Sequence, residues 1–397
     1  MRIAQGVISK WCGTDSKVHA YPGAVILVVK KGKILVNRAF GFKSIYRDPV
    51  PMSIDCVFDL ASLTKAIATT TAALILIDSG EIRLNDKVEY FASCLKGYPL
   101  GESEIKHILT QTLGFTNWVP LFRSNATRDN VPFFMRQTGF SWPPGTRIRY
   151  SCPGFILLGW IIERITGKRL DVFTKEMIFD PLEMNDTMFL PLDQPIPKGI
   201  RERLVPTESR SSTIRGNELA KAFRNFGQKD LHYQHSLKDE WDLRHIEGGI
   251  PCGVVHDENA AWLWGVAGNA GLFSTASDLG KFGEMYLNEG IYGKRRILSE
   301  RIIHSAYQNW TQGLPGDECR GFSWQFATPG GSLGDFAPSG CFGHTGFTGT
   351  VIWIDPKNKV TIVLLTNRLQ FTRENQHILK VRRLFANAVF KEIEIDS

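Results

Sequence analysis

Alternating apolar and polar positions divide the chain into β-rich ends and a helical middle. Near the N-terminus, residues 23–29 and 34–41 are β-rich and are separated by a Lys-Gly-Lys break, which predicts a hairpin. Toward the C-terminus, residues 349–354 and 360–366 are apolar stretches separated by a polar turn. We therefore expect one sheet built from both ends of the chain, with a helical region inserted between them.

Helical patterns fill most of the middle. Apolar runs with helix start and stop signals cover residues 62–77, 105–113, 131–138, 155–166 and 277–287, and further helices are expected at 3–18 and 374–390. Residues 217–247 are polar and poorly periodic, which predicts a surface insertion or lid. The expected architecture is a single α+β domain over 1–397, with a sheet region at about 1–55 and 320–397 and a mainly helical region at about 56–319.

Composition narrows the class of partner. The 397 residues carry a formal charge of +7, but Lys and Arg are dispersed, so a nucleic-acid-binding surface is not expected. Seven cysteines form no CxxC pair, which favours reduced thiols. The first residues form no apolar signal core and no stretch reaches the length of a membrane span, so we expect a cytoplasmic protein; a leader upstream of Met1 would instead indicate export to the periplasm.

Ser62 and Lys65 are the leading candidates for chemistry. They lie three positions apart at the start of an apolar run, so a helix would place the hydroxyl and the amine on one face. Burial is expected to lower the pKa of Lys65, which would let its amine accept the proton of Ser62. The alternative is a serine that caps the helix and a lysine whose amine reaches the surface.

Other serines compete with Ser62. The same Ser-x-x-Lys spacing occurs at residues 93–96 and 103–106, but those copies lie near Pro99 and Gly101 and do not open an apolar helix. Residues 330–334 fit G-x-S-x-G around Ser332. That motif requires a hydrophobic strand before it and a helix after it, and the flanking sequence supplies neither, so a glycine loop is the better interpretation.

Two further positions and one cluster carry candidate chemistry. Tyr150 follows a Pro-Pro-Gly turn, and a phenol near a lysine amine can move protons; an ordinary core tyrosine is the alternative. His344 lies in a stretch of small residues before a strand, where a ligand can approach the backbone, although a loop histidine without a role fits equally well. His256-Asp257-Glu258 contains carboxylates and a histidine, but the spacing is not that of a metal site, so no metal and no cofactor are expected.

Three motifs occur in this order along the chain: Ser62-Leu63-Thr64-Lys65, Tyr150-Ser151-Cys152 and His344-Thr345-Gly346. Together they resemble the serine β-lactamase and penicillin-binding-protein superfamily. The likeness covers most of the chain, and it implies a β-lactamase/transpeptidase-like fold with an antiparallel sheet. Residues 254–260, 265–271, 366–368 and 372–375 show a narrower likeness to the branch that contains N-acetylmuramoyl-L-alanine amidases.

The resemblance implies a role for each matching position. Ser62 would be acylated, Lys65 would act as its base partner, and Tyr150 would relay protons to the leaving group and then from water. Backbone N–H groups of Ser62 and Phe347 would form the oxyanion hole. Substrate would be bound along Cys152, His344, Thr345, Gly346 and Phe347.

This chain departs from the family pattern at several of these positions. Cys152 stands where the family commonly has Asn, and a thiol is a poor substitute for an amide that binds a substrate carbonyl, so efficient β-lactam hydrolysis is not expected. His344 stands where Lys is usual, and with an ordinary pKa near about 6.5 its charge would be lost above neutrality. Asn269 and Trp264 replace the usual His and Gly of the amidase branch.

The sequence therefore predicts a serine hydrolase that acts through an acyl-enzyme on an amide or ester, with a muropeptide-like, small or short-peptide substrate. Two alternatives remain at this point: a broad carboxylesterase or weak β-lactamase of the same fold, and a non-catalytic penicillin-binding-type receptor or scaffold. The oligomeric state is not predicted.

Overall fold

The computed structural model describes residues 1–46, 48–124, 126–136, 139–208, 245–246, 250–316, 318–328 and 330–393. Apart from the short strand at 245–246, the insertion predicted at 217–247 lies outside the described residues, so it stays a prediction.

Strands from the two ends of the chain form one antiparallel sheet, as predicted. Among the described residues its order is β11-β12-β13-β14-β1-β2-β3, and a smaller sheet has the order β4-β8-β5. In chain order the strands are β1 (Gly23–Lys30), β2 (Lys33–Ser44), β3 (Val50–Pro51), β4 (Phe58–Asp59), β5 (Met188–Phe189), β6 (His245–Ile246), β7 (Ile250–Pro251), β8 (Leu272–Ser274), β9 (Ile291–Tyr292), β10 (Arg295–Arg296), β11 (Gln325–Phe326), β12 (Phe342–Thr345), β13 (Val351–Asp355) and β14 (Val360–Thr366).

Helices connect and cover these strands. In chain order they are α1 (Arg2–Lys10), α2 (Thr71–Asp78), α3 (Pro99–Glu102), α4 (Ile105–Leu109), α5 (Val131–Met135), α6 (Cys152–Thr166), α7 (Leu170–Thr174), α8 (Glu258–Trp262), α9 (Ala276–Leu287), α10 (Glu300–Ala306) and α11 (His377–Glu392). Segments Lys65–Thr70 and Lys175–Phe179 are π-helical, and 3₁₀ turns lie at Val88–Tyr90, Ser93–Leu95, Leu121–Arg123, Arg201–Arg203 and Arg368–Gln370.

The centre of the large sheet is buried on both faces. Along β1, Val25 and Leu27 pack into the core that includes α9, whereas Ala24 and Ile26 pack into a second core that includes α1 and α11. This alternation follows from the period-2 geometry of a strand, and it explains why β1 is apolar at successive positions rather than at every second one. Burying each such Val, Ile or Leu side chain contributes about 1.5–3 kcal/mol.

The predicted elements are present, but several are shorter than expected. The opening helix ends at Lys10 instead of 18, and the helix predicted at 105–113 ends at Leu109. The second ends early because Gln111 has a left-handed φ of 58°, which no α-helix continues through. Near Ser62 the prediction needs a similar correction, because Ser62 lies in the turn before the π-helical segment Lys65–Thr70 that leads into α2.

Two further observations concern membrane-spanning helices and the cysteines. Within the described ranges, no helix combines the length and the apolar character needed to cross a membrane. The seven cysteines are free thiols.

Candidate active site

A strained residue, Ala61, lies between strand β4 and Ser62. Ala61 has a φ of 48°, a left-handed conformation that a residue with a Cβ seldom adopts and that costs on the order of 1–3 kcal/mol. The buried Asp59 carboxylate holds this conformation by accepting the Ala61 N–H through Oδ1 at 2.8 Å. On the other side, the Thr64 hydroxyl donates to the Ala61 carbonyl at 2.7 Å. The backbone before Ser62 is therefore fixed from two directions.

Lys65 is completely buried and its amine has three partners. Nζ donates to Ser62 Oγ at 3.2 Å, to Cys152 Sγ at 3.4 Å and to the Asn269 carbonyl at 3.0 Å. The predicted meeting of Ser62 and Lys65 is thus present. A lysine ammonium has three N–H donors, so these contacts match its full capacity.

The pKa of Lys65 differs from the expected direction. Burial lowers it, but the adjacent Cys152 and Tyr150, which carry negative charge when ionised, outweigh burial, and the pKa of Lys65 is raised. The prediction of a lowered pKa is wrong because it counted burial and omitted these two neighbours. In this arrangement Lys65 Nζ is the donor to Ser62 Oγ.

Tyr150 and Cys152 are positioned by the start of α6. The Ser151 side chain caps this helix by accepting the Gly154 N–H at 3.2 Å, and the Ser151 N–H donates to Gln111 Oε1 at 2.7 Å. These bonds place the Tyr150 ring 4.8 Å from Lys65 Nζ. The Tyr150 hydroxyl is buried and lies within reach of both Lys65 and Ser62. The pKa of Tyr150 is raised above its ordinary value, because the effect of burial outweighs the opposing effect of the Lys65 charge.

Strand β12 carries His344 to the opposite side of the site. The ring centroids of His344 and Tyr150 are 6.3 Å apart, and His344 Nδ1 lies 2.9 Å from the Thr345 carbonyl. Burial, together with the positive charges of Arg320 and Lys65, lowers the pKa of His344 well below 6.5. The prediction that His344 loses its charge only above neutrality is therefore wrong, because it assumed the pKa of a solvated histidine.

The chain after His344 lies against the Ser62 turn. A Cβ on Gly346 would come within 2.4 Å of the Leu60 carbonyl, so only glycine allows this approach. Thr348 Oγ1 donates to the Asp59 carbonyl at 2.7 Å, and Thr350 Oγ1 donates to the Leu60 carbonyl at 3.0 Å. Phe347 lies between these attachments, with its side chain 46% exposed. The assignment of its N–H and that of Ser62 as oxyanion donors stays a prediction.

The competing serines lack comparable surroundings. Ser93 and Lys96 are both exposed at a 3₁₀ turn, and Ser103 donates to the Pro99 carbonyl at 2.8 Å. Ser332 lies between turns, with neither the strand nor the helix that a G-x-S-x-G nucleophile requires among the described neighbours.

Sequence reasoning missed the contact made by Asn269. Its carbonyl accepts from Lys65, and its buried side-chain amide lies beside Cys152. The sequence identified Asn269 only as a departure from the family's usual His, and nothing in it indicated that the main chain of Asn269 holds the Lys65 amine.

A buried lysine bonded to a serine at a strained turn, with a tyrosine hydroxyl within reach of both, is an arrangement that can support acyl transfer to the serine. The Beta-lactamase family model matches residues 13–387, and the chain belongs to this family of serine hydrolases. The family assignment predicted from the three motifs, and the fold that it implies, are confirmed.

Individual relatives agree with this assignment. An N-acetylmuramyl-L-alanine amidase of Bacillus subtilis is 29% identical over 374 residues, which cover 88% of this chain and 77% of that protein. A class C beta lactamase from Rhodobacter sphaeroides superposes with a TM-score of 0.69 at 18% identity, covering 98% of this chain and 99% of the other. A beta-lactamase/D-alanine carboxypeptidase from Pseudomonas syringae gives 0.71 at 17% identity, with 99% of each chain covered.

Proposed function

We propose that the protein hydrolyses an amide or ester bond of a muropeptide-like substrate through an acyl-enzyme on Ser62. The observation that carries this proposal is the 3.2 Å contact between Lys65 Nζ and Ser62 Oγ, made by an amine that is fully buried. The substrate class is supported by the similarity to the Bacillus subtilis protein named an N-acetylmuramyl-L-alanine amidase.

The proton route follows from the protonation states at rest. Lys65 Nζ is a donor to Ser62 Oγ, and burial favours the neutral form of Tyr150, so Lys65 must release a proton before it can accept the one from Ser62. As Ser62 Oγ bonds to the substrate carbonyl carbon, Tyr150 gives its proton to the leaving group, Lys65 passes one of its protons to Tyr150, and the lone pair freed on Lys65 Nζ accepts the Ser62 proton. The acyl bond to the leaving group then breaks, and the two residues end in their starting states.

Deacylation runs the same relay in reverse. Water attacks the acyl carbon, its proton passes through Tyr150 and Lys65, and Ser62 leaves as the alcohol. The buried Tyr150 hydroxyl suits this role, because it lies within reach of both Lys65 and Ser62.

The test compares wild type, Ser62→Ala and Ser93→Ala on a fluorescent penicillin, a p-nitrophenyl ester series and a muramoyl-peptide. Ser93 is the matched control, because it has the same spacing to a lysine but is exposed. We expect muramoyl-peptide turnover in wild type and Ser93→Ala, and a loss of at least about 10⁴-fold in Ser62→Ala.

Each other outcome has a distinct meaning. Turnover of esters alone identifies a carboxylesterase, and penicillin labelling without turnover identifies a receptor. Activity that persists in Ser62→Ala overturns the assignment of the nucleophile.

A further inference from the structure

We propose that His256 is a positioning residue that aligns both halves of the oxyanion hole, and that Glu208 and Arg373 hold it in place. This inference rests on the proposed function, since it assumes that the N–H groups of Ser62 and Phe347 bind the oxyanion. It concerns residues outside the three family motifs.

On one side, His256 contacts Asp59, which fixes the turn before Ser62. The His256 backbone N–H donates to Asp59 Oδ2 at 2.6 Å, while Asp59 Oδ1 accepts the N–H of Ala61. Both oxygens of this buried carboxylate are thus used by backbone donors. Because Ala61 is held in a strained conformation directly before Ser62, displacement of His256 would release the position of the Ser62 N–H.

On the other side, His256 contacts Phe347. The imidazole of His256 is stacked on the Phe347 ring, with 5.6 Å between centroids and 26° between planes. Arg368 also holds Phe347, since its Nε donates to the Phe347 carbonyl at 2.8 Å and its guanidinium carbon lies 4.8 Å from the ring centroid. The guanidinium carbon of Arg373 lies 5.9 Å from the same centroid. Because Phe347 is 46% exposed, its orientation depends on these three neighbours.

Buried ions fix the imidazole itself. His256 Nε2 lies 2.7 Å from Glu208 Oε1, and Arg373 donates to the same carboxylate and, at 2.8 Å, to Glu258 Oε1. These contacts lower the pKa of Glu208 to about 2 against the opposing effect of burial, so it is an acceptor and His256 Nε2 is the donor. Arg373 also lies 3.3 Å from His256 Nε2, but both groups are then donors, so this contact is not a hydrogen bond.

The two N–H donors of the oxyanion hole must be aligned with each other, and the catalytic residues alone do not explain how this is achieved. The two N–H groups of the oxyanion hole come from segments about 285 residues apart in sequence, and losing one such donor costs on the order of 10²–10³ in rate. Thr348 and Thr350 attach one segment to the other. His256 is a single residue that also contacts both, because its backbone N–H donates to Asp59 and its ring stacks on Phe347. A small displacement of either donor is enough to reduce the rate.

The experiment measures kcat and KM on a p-nitrophenyl ester and the affinity for phenylboronic acid, which adds to the serine oxygen and places a tetrahedral oxygen in the oxyanion hole. The variants are His256→Ala, His256→Phe, which keeps a ring against Phe347, and Glu208→Gln. Asp278→Asn is the matched control, because Asp278 is a buried carboxylate in a separate hydrogen-bonded group with Thr187 and Lys281.

In His256→Ala we expect kcat to fall about 10–100-fold, boronate affinity to fall by a similar factor and KM to stay within about 3-fold. His256→Phe should recover part of both losses, and Glu208→Gln should lose less than His256→Ala. Asp278→Asn should lower the melting temperature without changing kcat or boronate affinity. The boronate readout separates positioning from general loss of structure, because a merely destabilised fold does not weaken it selectively.

The inference would be overturned if wild type binds boronate but kcat and boronate affinity are unchanged in His256→Phe, in Glu208→Gln and in a folded His256→Ala. If wild type neither turns over the ester nor binds boronate through Ser62, the proposed function fails and the inference falls with it. The two failures are therefore distinguished by wild type alone.

Discussion

The sulfur of Cys152 lies 3.4 Å from Nζ of Lys65, so a thiol occupies one of the three hydrogen-bonding directions of the Lys65 amine. In the family pattern this position commonly carries an amide. A thiol accepts weakly and donates weakly, so it supports Lys65 without offering a strong hydrogen bond to a substrate.

Replacing Cys152 by Asn should therefore increase acylation by penicillin. The new amide can accept from Lys65 and donate to the carbonyl of the acyl side chain, and one added hydrogen bond of about 0.5–1.5 kcal/mol corresponds to roughly a 2–10-fold change. The measurement is the rate of labelling by a fluorescent penicillin. Cys94→Asn, at an exposed cysteine, is the control. Labelling that is equal to or slower than wild type would contradict the prediction.

The Tyr150 hydroxyl predicts a small effect on stability and a large effect on activity. It is buried, and the side chains that act on it are Lys65 and Ser62 of the site itself. Tyr150→Phe should therefore change the melting temperature by no more than about 1–3 °C, while kcat falls about 10²–10⁴-fold because the proton relay is broken.

A second tyrosine provides the control for this experiment. The Tyr286 hydroxyl accepts the Trp324 indole N–H at 3.2 Å, so Tyr286→Phe leaves a buried donor unpaired. Tyr286→Phe should lower the melting temperature and preserve kcat. Two variants that lower stability equally would show that the fold depends on the Tyr150 hydroxyl as much as on that of Tyr286.

The pH profile tests the charge of His344. Because its pKa lies well below 6.5, His344 is neutral at pH 7 and gains a proton only as the pH falls into the acid range. An effect of its protonation therefore belongs on the acid limb, and between about pH 6 and about pH 9 the wild type and His344→Gln should have profiles of the same shape. A decline above neutrality in wild type that disappears in His344→Gln would restore the charged-histidine hypothesis.

Local patterns predicted the fold and the motif residues well, for physical reasons. Strands β1 and β14 alternate between two cores, and their apolar runs and turn residues are visible in the sequence. The order of the Ser62, Tyr150 and His344 motifs predicted that they meet, and they do. The helix boundaries were wrong where single residues take left-handed conformations, as at Ala61 and Gln111, because no residue type there signals it.

The electrostatics of the site could not be read from the sequence. The direction of the Lys65 pKa depends on Cys152 and Tyr150, which are about 85 positions away, and the pKa of His344 depends on burial and on Arg320. The same holds for His256, which the sequence presented only as a weak metal motif. Its contacts are to Asp59, Glu208 and Phe347, and only the folded chain brings these together.

Glu208 predicts how stability changes in acid. Burial raises the pKa of its carboxyl group, but the hydrogen bonds and charges of His256 and Arg373 outweigh burial and lower it from 4.5 to about 2. A folded-state pKa below the unfolded value means that the stabilisation is complete above about pH 4.5 and is lost as the pH falls toward about 2.

Allowing for solvent screening, we expect the contribution of Glu208 to the free energy of unfolding to be about 1–3 kcal/mol at neutral pH. Urea unfolding of wild type and Glu208→Gln should differ by this amount at neutral pH, and the difference should shrink between about pH 4.5 and about pH 3. Glu176→Gln is the control, because Glu176 pairs with Lys168 at the surface, where an ion pair contributes about 0–1 kcal/mol. A difference between wild type and Glu208→Gln that does not change across this range would show that the carboxylate charge is not what holds His256, and the stabilisation would then come from packing alone.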